Sequence, residues 1–122
     1  MTPLHSTTAA LADELTILGL YLDLPETPAQ INPSDRQVAQ RWCQRQIPIR
    51  TVKTALLLGS LRRLYRPAEA LPLAPIRSLA YFQPVVEELL LTPLPDGYDT
   101  YLQGKLKAYR RDPGLDPPAG PL

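Results

Sequence analysis

Residues 48–65, PIRTVKTALLLGSLRRLY, constrain the fold more than any other stretch. Turned at 100° per residue, Val52, Ala55, Leu56, Leu57, Leu58, Leu61 and Leu64 surround the axis. A helix apolar nearly all round is stable in water only when other elements cover it. This segment therefore predicts a central, buried helix, and with it a helical bundle. Pro48 suits the first turn of such a helix. The preceding residues, RWCQRQ, are basic and polar, so the two segments together have the outline of a helix-turn-helix. A recognition helix must offer polar side chains to base edges. Here mainly Arg50, Thr51, Lys53 and Thr54 at its start can do so, and the helix reads as core with an exposed N-terminal turn. Gly59 and Ser60 predict close packing against a neighbour.

The flanking elements follow from periodicity and from fifteen prolines, which cluster between periodic segments. A first helix is expected over Thr8–Leu24, with Leu11, Leu15, Leu18 and Leu22 as its apolar stripe. Pro25 stops it. Ser34 and Gln37 predict a capping box for a second helix over Asp35–Gln46. On that helix Val38, Ala39, Trp42 and Cys43 share one arc of about 140°. Arg36, Gln37, Gln40, Arg41, Gln44 and Arg45 form its basic, glutamine-rich outer face. Leu71 and Leu73, in the loop that follows the central helix, are expected against the core. A fourth helix opens at Pro75 and runs through IRSLAYFQPVVEELLL, with a kink or break at Pro84. Its core residues are expected to be Ile76, Leu79, Val86 and Leu90. A fifth helix over Tyr98–Arg110 carries a stripe of Tyr98, Tyr101, Leu102, Leu106 and Tyr109. No strong strand signal is present. The expectation is an all-α, compact bundle of about five helices around a buried central helix. It forms one domain over residues 8–111, with a flexible N-terminus (1–7) and a disordered, Pro-rich tail (112–122). A chain of 122 residues buries about two-thirds of its unfolded surface, enough for one core without staples.

Composition narrows the function classes. With one cysteine, Cys43, an intrachain disulfide is impossible. The start MTPLHSTTAA lacks a basic stretch followed by an apolar one, so no secretory signal is expected. The longest apolar run, around Ala55 to Leu58, cannot span a membrane. The expected location is cytoplasmic. Phosphate-cradling glycine loops, H-E-x-x-H and G-x-S-x-G are all missing. His5, the single histidine, sits at a terminus. Cys43 lies on the apolar arc beside Trp42, where a thiol acts as a small hydrophobe. Glu87 and Glu88 are adjacent, diverge by 100° on a helix, and cannot converge on one substrate atom. The chain reads as non-catalytic, with no cofactor and no metal site.

The net charge of +1 hides an asymmetry. Residues 1–34 hold four acids and no Lys or Arg, residues 35–77 nine bases against two acids, and residues 78–122 four bases and six acids. A middle third this basic attracts phosphates or an acidic partner. Arg41 and Arg45 are four apart and project from one side of their helix. Arg50 and Lys53 follow just after the turn, while Arg62, Arg63 and Arg66 at the far end of the central helix either extend the set or satisfy the helix's C-terminal dipole. The stripe Tyr98, Tyr101, Tyr109 beside Lys105, Lys107, Arg110 and Arg111 offers a stacking surface for single-stranded bases, although tyrosines at this spacing more often serve the core.

The order of parts from Ser34 to Leu91 carries a further pattern. IPIRTVKTAL is followed, after a spacer, by Tyr81, Val85 and Leu89 at spacings of four. This resembles the DnaD-like helical module of bacterial and phage replication proteins, whose pattern is Y-x-x-x-I-x-x-x-W. Val85 stands at the Ile position, Leu89 replaces the Trp, and Pro84 interrupts the motif helix. The chain is also similar to small helical proteins carried beside replication or transposition genes. The resemblance implies a helical fold and a DNA-linked role. Two functions are thus expected. One is a nucleic-acid-binding accessory protein (DNA or RNA) in replication or mobility of a genetic element, with phosphate contacts from Arg41, Arg45, Arg50, Lys53, Arg62 and Arg63. The other is a protein–protein adaptor whose basic face meets an acidic partner, such as a protein of the replication or transposition machinery, and whose acidic first helix supports homo-oligomerisation.

Overall fold

The central helix is formed as its composition requires. In a computed structural model that describes residues 13–66, 69, 71 and 73–111, it runs over Ile49–Leu64. It is the third of five: α1 Glu14–Leu22, α2 Pro33–Gln44, α3 Ile49–Leu64, α4 Gln83–Leu91 and α5 Tyr98–Arg111. A 3-10 turn, Leu79–Phe82, leads into α4. The described chain is an all-α bundle. α3 packs against α1, α4, α5 and the 3-10 turn, while α2 lies across α1 and the same turn. Val52, Ala55, Leu56, Leu57, Leu58 and Leu61 are all buried, which makes α3 the shared wall of the core. Gly59 marks the closest approach: a Cβ there would stand 2.8 Å from Phe82 Cδ1. Residues 1–12 and 112–122, with His5, Leu11 and the Pro-rich tail, lie outside the described residues.

The link from α2 to α3 is a Schellman ending. Gln46 takes the left-handed conformation at φ 57°. Its N–H reaches Cys43 O at 3.0 Å, and the Ile47 N–H reaches Trp42 O at 3.3 Å. Ile47 is buried with Trp42 in the same core, and Pro48 then caps α3. This tight exit gives the pair its helix-turn-helix outline, yet α3 itself is covered rather than presented.

Several expectations change. The cap of α2 is Asn32, not Ser34. Asn32 Oδ1 accepts the Asp35 N–H at 2.9 Å, and Asp35 Oδ2 accepts the Asn32 N–H at 3.0 Å. Pro33 explains the shift, because it forces Asn32 into the extended conformation that a cap requires (φ −103°, ψ 167°). Ser34 instead donates to Asn32 Oδ1 at 2.7 Å. Of the leucine stripe expected on α1, Leu18 is buried but Leu15 and Leu22 are not, and Leu11 lies outside the described residues. Ile17, Leu18 and Tyr21 are buried, with Leu24 just beyond the helix, while Leu15 is 78% and Leu22 40% exposed. Leu71 and Leu73 are exposed, not tucked under. Of the two outcomes expected at Pro84, the break occurs and the kink does not, and the helix expected from Pro75 begins only with the 3-10 turn at Leu79. Pro84 sits in the first turn of α4, where it costs no hydrogen bond, and the 3-10 turn takes up the change of direction. Leu89, not Leu90, is the buried residue of α4's last turn. In α5, Leu102 and Leu106 are buried, Tyr98 and Tyr109 half-buried, and Tyr101 exposed.

Candidate functional site

Five of the six basic residues singled out from the sequence hold carboxylates of their own fold. Arg45, the C-cap of α2, grips Glu87 of α4 with two hydrogen bonds at 2.6 and 3.1 Å. Glu87 also accepts from the Gln83 amide, and Gln83 Oε1 accepts the Trp42 indole N–H at 2.7 Å. Trp42, Gln83, Glu87 and Arg45 thus form one chain of hydrogen bonds between α2 and α4. The Arg45 hydrogen bond holds the Glu87 carboxyl below its ordinary value. Arg62 grips Glu88 in the same forked manner at 2.9 and 2.8 Å, and Glu88 is lowered likewise. The divergence of Glu87 and Glu88 is real, since each serves a different arginine. Arg50 stands 3.4 Å from Asp96 and Lys53 3.8 Å from Asp99.

Arg63 is the most committed. Its side chain is only 6% exposed. It reaches Glu26 at 2.9 Å, the Ala74 carbonyl at 2.9 Å and the Tyr81 hydroxyl at 3.2 Å, and lies 5.2 Å from the Tyr81 ring centroid. It ties α3 to two loops at once, the one after α1 through Glu26 and the one before the 3-10 turn through Ala74. Arg41, the sixth, is exposed on α2 and has no ion-pair partner among the described residues.

The cations without a carboxylate partner among the described residues concentrate on α5. Lys105, Lys107, Arg110 and Arg111 are four of the seven, the others being Arg41, Arg66 and Arg77. Lys105 lies 5.3 Å from the Tyr101 ring centroid, and Arg110 donates to the Asp23 backbone carbonyl. Tyr109 meets Tyr65 edge to face, with centroids 5.8 Å apart, so that tyrosine serves the bundle. Cys43 is half-buried. Burial first, then the charges of Asp13 and Glu14, push its thiol up, away from the reactive thiolate. Among the described residues no group of three or more His, Cys, Asp or Glu could hold a metal ion, and no helix is long and apolar enough to cross a membrane.

Two features were not foreseen. One is the outward side of α1, where Leu15 and Leu22 stand seven residues apart on one face, about 10 Å along the axis. Asp13 and Asp23 flank them and have no ion-pair partner among the described residues. The available signal was that ILGLYL is apolar on both sides of the helical wheel. The other is a cleft between α1, α3 and α5. No protein-family model, curated protein or solved structure matches this chain.

Proposed function

We propose that the protein is a non-catalytic adaptor that docks a partner protein on the outward side of α1. The observation that carries this reading is the exposure of Leu15 and Leu22 between the carboxylates of Asp13 and Asp23, while the expected basic site is largely neutralised within the fold. Exposed large apolar side chains aligned on one helix face suit an amphipathic partner helix. The Asp13 carboxylate selects a partner with a Lys or Arg near the matching end of its apolar stripe, and it opposes the pairing of two copies of α1. The test is capture from the native host, after nuclease treatment, by wild type, by Leu15→Lys/Leu22→Lys and by Arg45→Glu. The expected result is one stoichiometric protein held by wild type and Arg45→Glu and absent from the double variant. Equal retention by all three would overturn this reading, and a sedimentation shift to a dimer would favour self-association instead.

A second reading, an accessory protein that binds nucleic acid, is supported by the uncompensated cations of α5, by Arg41 and by the DnaD-like order of parts. Surface ion pairs of the kind held by Arg45, Arg50, Lys53 and Arg62 are worth little, so phosphates can displace those carboxylates. Removing one cation that neutralises a phosphate lowers the slope of log K against log salt by about 0.7 to 0.9. Arg41→Glu with Arg111→Glu should reduce the affinity and salt slope for labelled single-stranded DNA while the fold is kept. Unaltered binding would remove both groups of cations from consideration.

A further inference from the structure

The cleft between α1, α3 and α5 has an apolar floor and a charged mouth. Leu24 after α1, Leu56 and Leu57 of α3, and Leu106 of α5 are the buried apolar residues of its lining. Lys53, Lys107 and Arg110 stand around it. Asp23 is the one acid in its lining, and Asp99 stands 3.8 Å from Lys53. Three cations against two carboxylates leave one positive charge uncompensated. Arg110 is steered toward the mouth by its hydrogen bond to the Asp23 carbonyl, and Lys107 has no ion-pair partner among the described residues.

We infer that this cleft binds a small aliphatic monocarboxylate, a function separate from the docking of a partner on Leu15 and Leu22. The size sets the apolar part. An apolar cavity of about 150 Å³ holds benzene, so a cleft of about 110 Å³ takes roughly four or five carbons. The charge sets the head group. A single carboxylate at the mouth neutralises the surplus and receives charge-assisted hydrogen bonds from Lys107 and Arg110. A dianion would exceed the surplus, and an amine would meet repulsion. The few convergent polar groups above an apolar base are the usual make-up of a small-molecule site.

The test is a two-dimensional amide NMR titration of the isotope-labelled full chain with isovalerate. Saturable shifts are expected, confined to residues 20–24, 53–57 and 103–110. Acetate has the charge without the body and isoamyl alcohol the body without the charge. Each should bind at least about tenfold more weakly, and isoamylamine not at all. Lys107 is exposed, so Lys107→Glu should leave the melting temperature unchanged while weakening isovalerate about tenfold, with Lys107→Arg restoring it. Failure to saturate, an equal response to acetate or to the alcohol, or unaltered binding by folded Lys107→Glu would each overturn the inference.

Discussion

Asp35 and Leu79 are joined across 44 residues: the wholly buried Asp35 carboxylate accepts the Leu79 backbone N–H at 2.8 Å. Its second oxygen takes the Asn32 N–H at 3.0 Å. One side chain therefore completes the capping box of α2 and supplies the 3-10 turn with an acceptor that its own N-cap, Ser78, does not provide. Asp35→Ala would leave the buried Leu79 N–H without an acceptor, at about 1–3 kcal/mol, and the partly buried Asn32 N–H at somewhat less. A loss of about 3 kcal/mol in urea unfolding is expected, with Asp35→Asn losing less because one carbonyl oxygen remains. A loss below about 1 kcal/mol would show that water replaces the carboxylate.

Gly59 and Phe82 set a second long-range limit. A methyl group on residue 59 would meet Phe82 Cδ1 at 2.8 Å and Cε1 at 2.9 Å, with Val85 behind. Gly59→Ala gains helix propensity but should lose about 1–3 kcal/mol net through overpacking. Phe82→Leu should relieve part of that loss, and a double-mutant cycle measures the coupling. Additive losses would refute the clash.

The Tyr21 hydroxyl is buried with no hydrogen-bond partner among the described residues, while its ring meets Phe82 edge to face at 6.3 Å. Tyr21→Phe keeps the ring stacking and removes the orphan. The expected change in melting stability lies between zero and a gain of about 1 kcal/mol. Burial, and then the charge of Asp35, push the phenol up to about 12. The unfolded value is about 10, so the neutral form is favoured by folding. Its contribution is complete below about pH 10 and is lost as pH rises from there through the folded value. Melting curves from roughly pH 9 to 12 should fall less steeply for Tyr21→Phe than for wild type.

At the acid end, Glu87 and Glu88 are held below the ordinary carboxylate value by Arg45 and Arg62. A depressed folded value adds stability that is present above about pH 4.3, the unfolded value, and is lost as pH falls through the folded one. Glu87→Gln with Glu88→Gln should flatten the acid limb of the melting profile. Both pairs are open to solvent, so salt should shrink the difference. An acid limb unchanged by the double substitution would assign it to other carboxylates.

How much of this was legible varied with the contrast each helix offers. α2 is legible around its circumference: Val38, Ala39 and Trp42 are buried, and Arg36, Gln37, Gln40, Arg41, Gln44 and Arg45 are exposed. One side of its wheel is apolar and the other polar, so only one orientation is cheap. α3 is legible for the opposite reason, being apolar all round. α1 is not, because its wheel is apolar on both sides and periodicity cannot choose between Leu15 with Leu22 and Ile17 with Tyr21. Packing made that choice by placing α1 against both α2 and α3. Leu71 and Leu73 failed similarly, since the burial of a loop residue depends on a surface that local pattern does not describe.

The candidate sites divide in the same way. The amino-acid order alone determined the central helix, the polarity of α2, the helical break before Pro84 and the basic middle third, because propensity, periodicity and proline chemistry act over a few residues. Only the tertiary structure decided which of those cations remain available. Arg45 and Glu87 are 42 residues apart, and Arg63 and Glu26 are 37 apart. The cleft near Lys107 likewise draws its walls from three separated helices. An ion pair or a cleft depends on which helices meet and at what rotation, and that is set by the packing of the whole core.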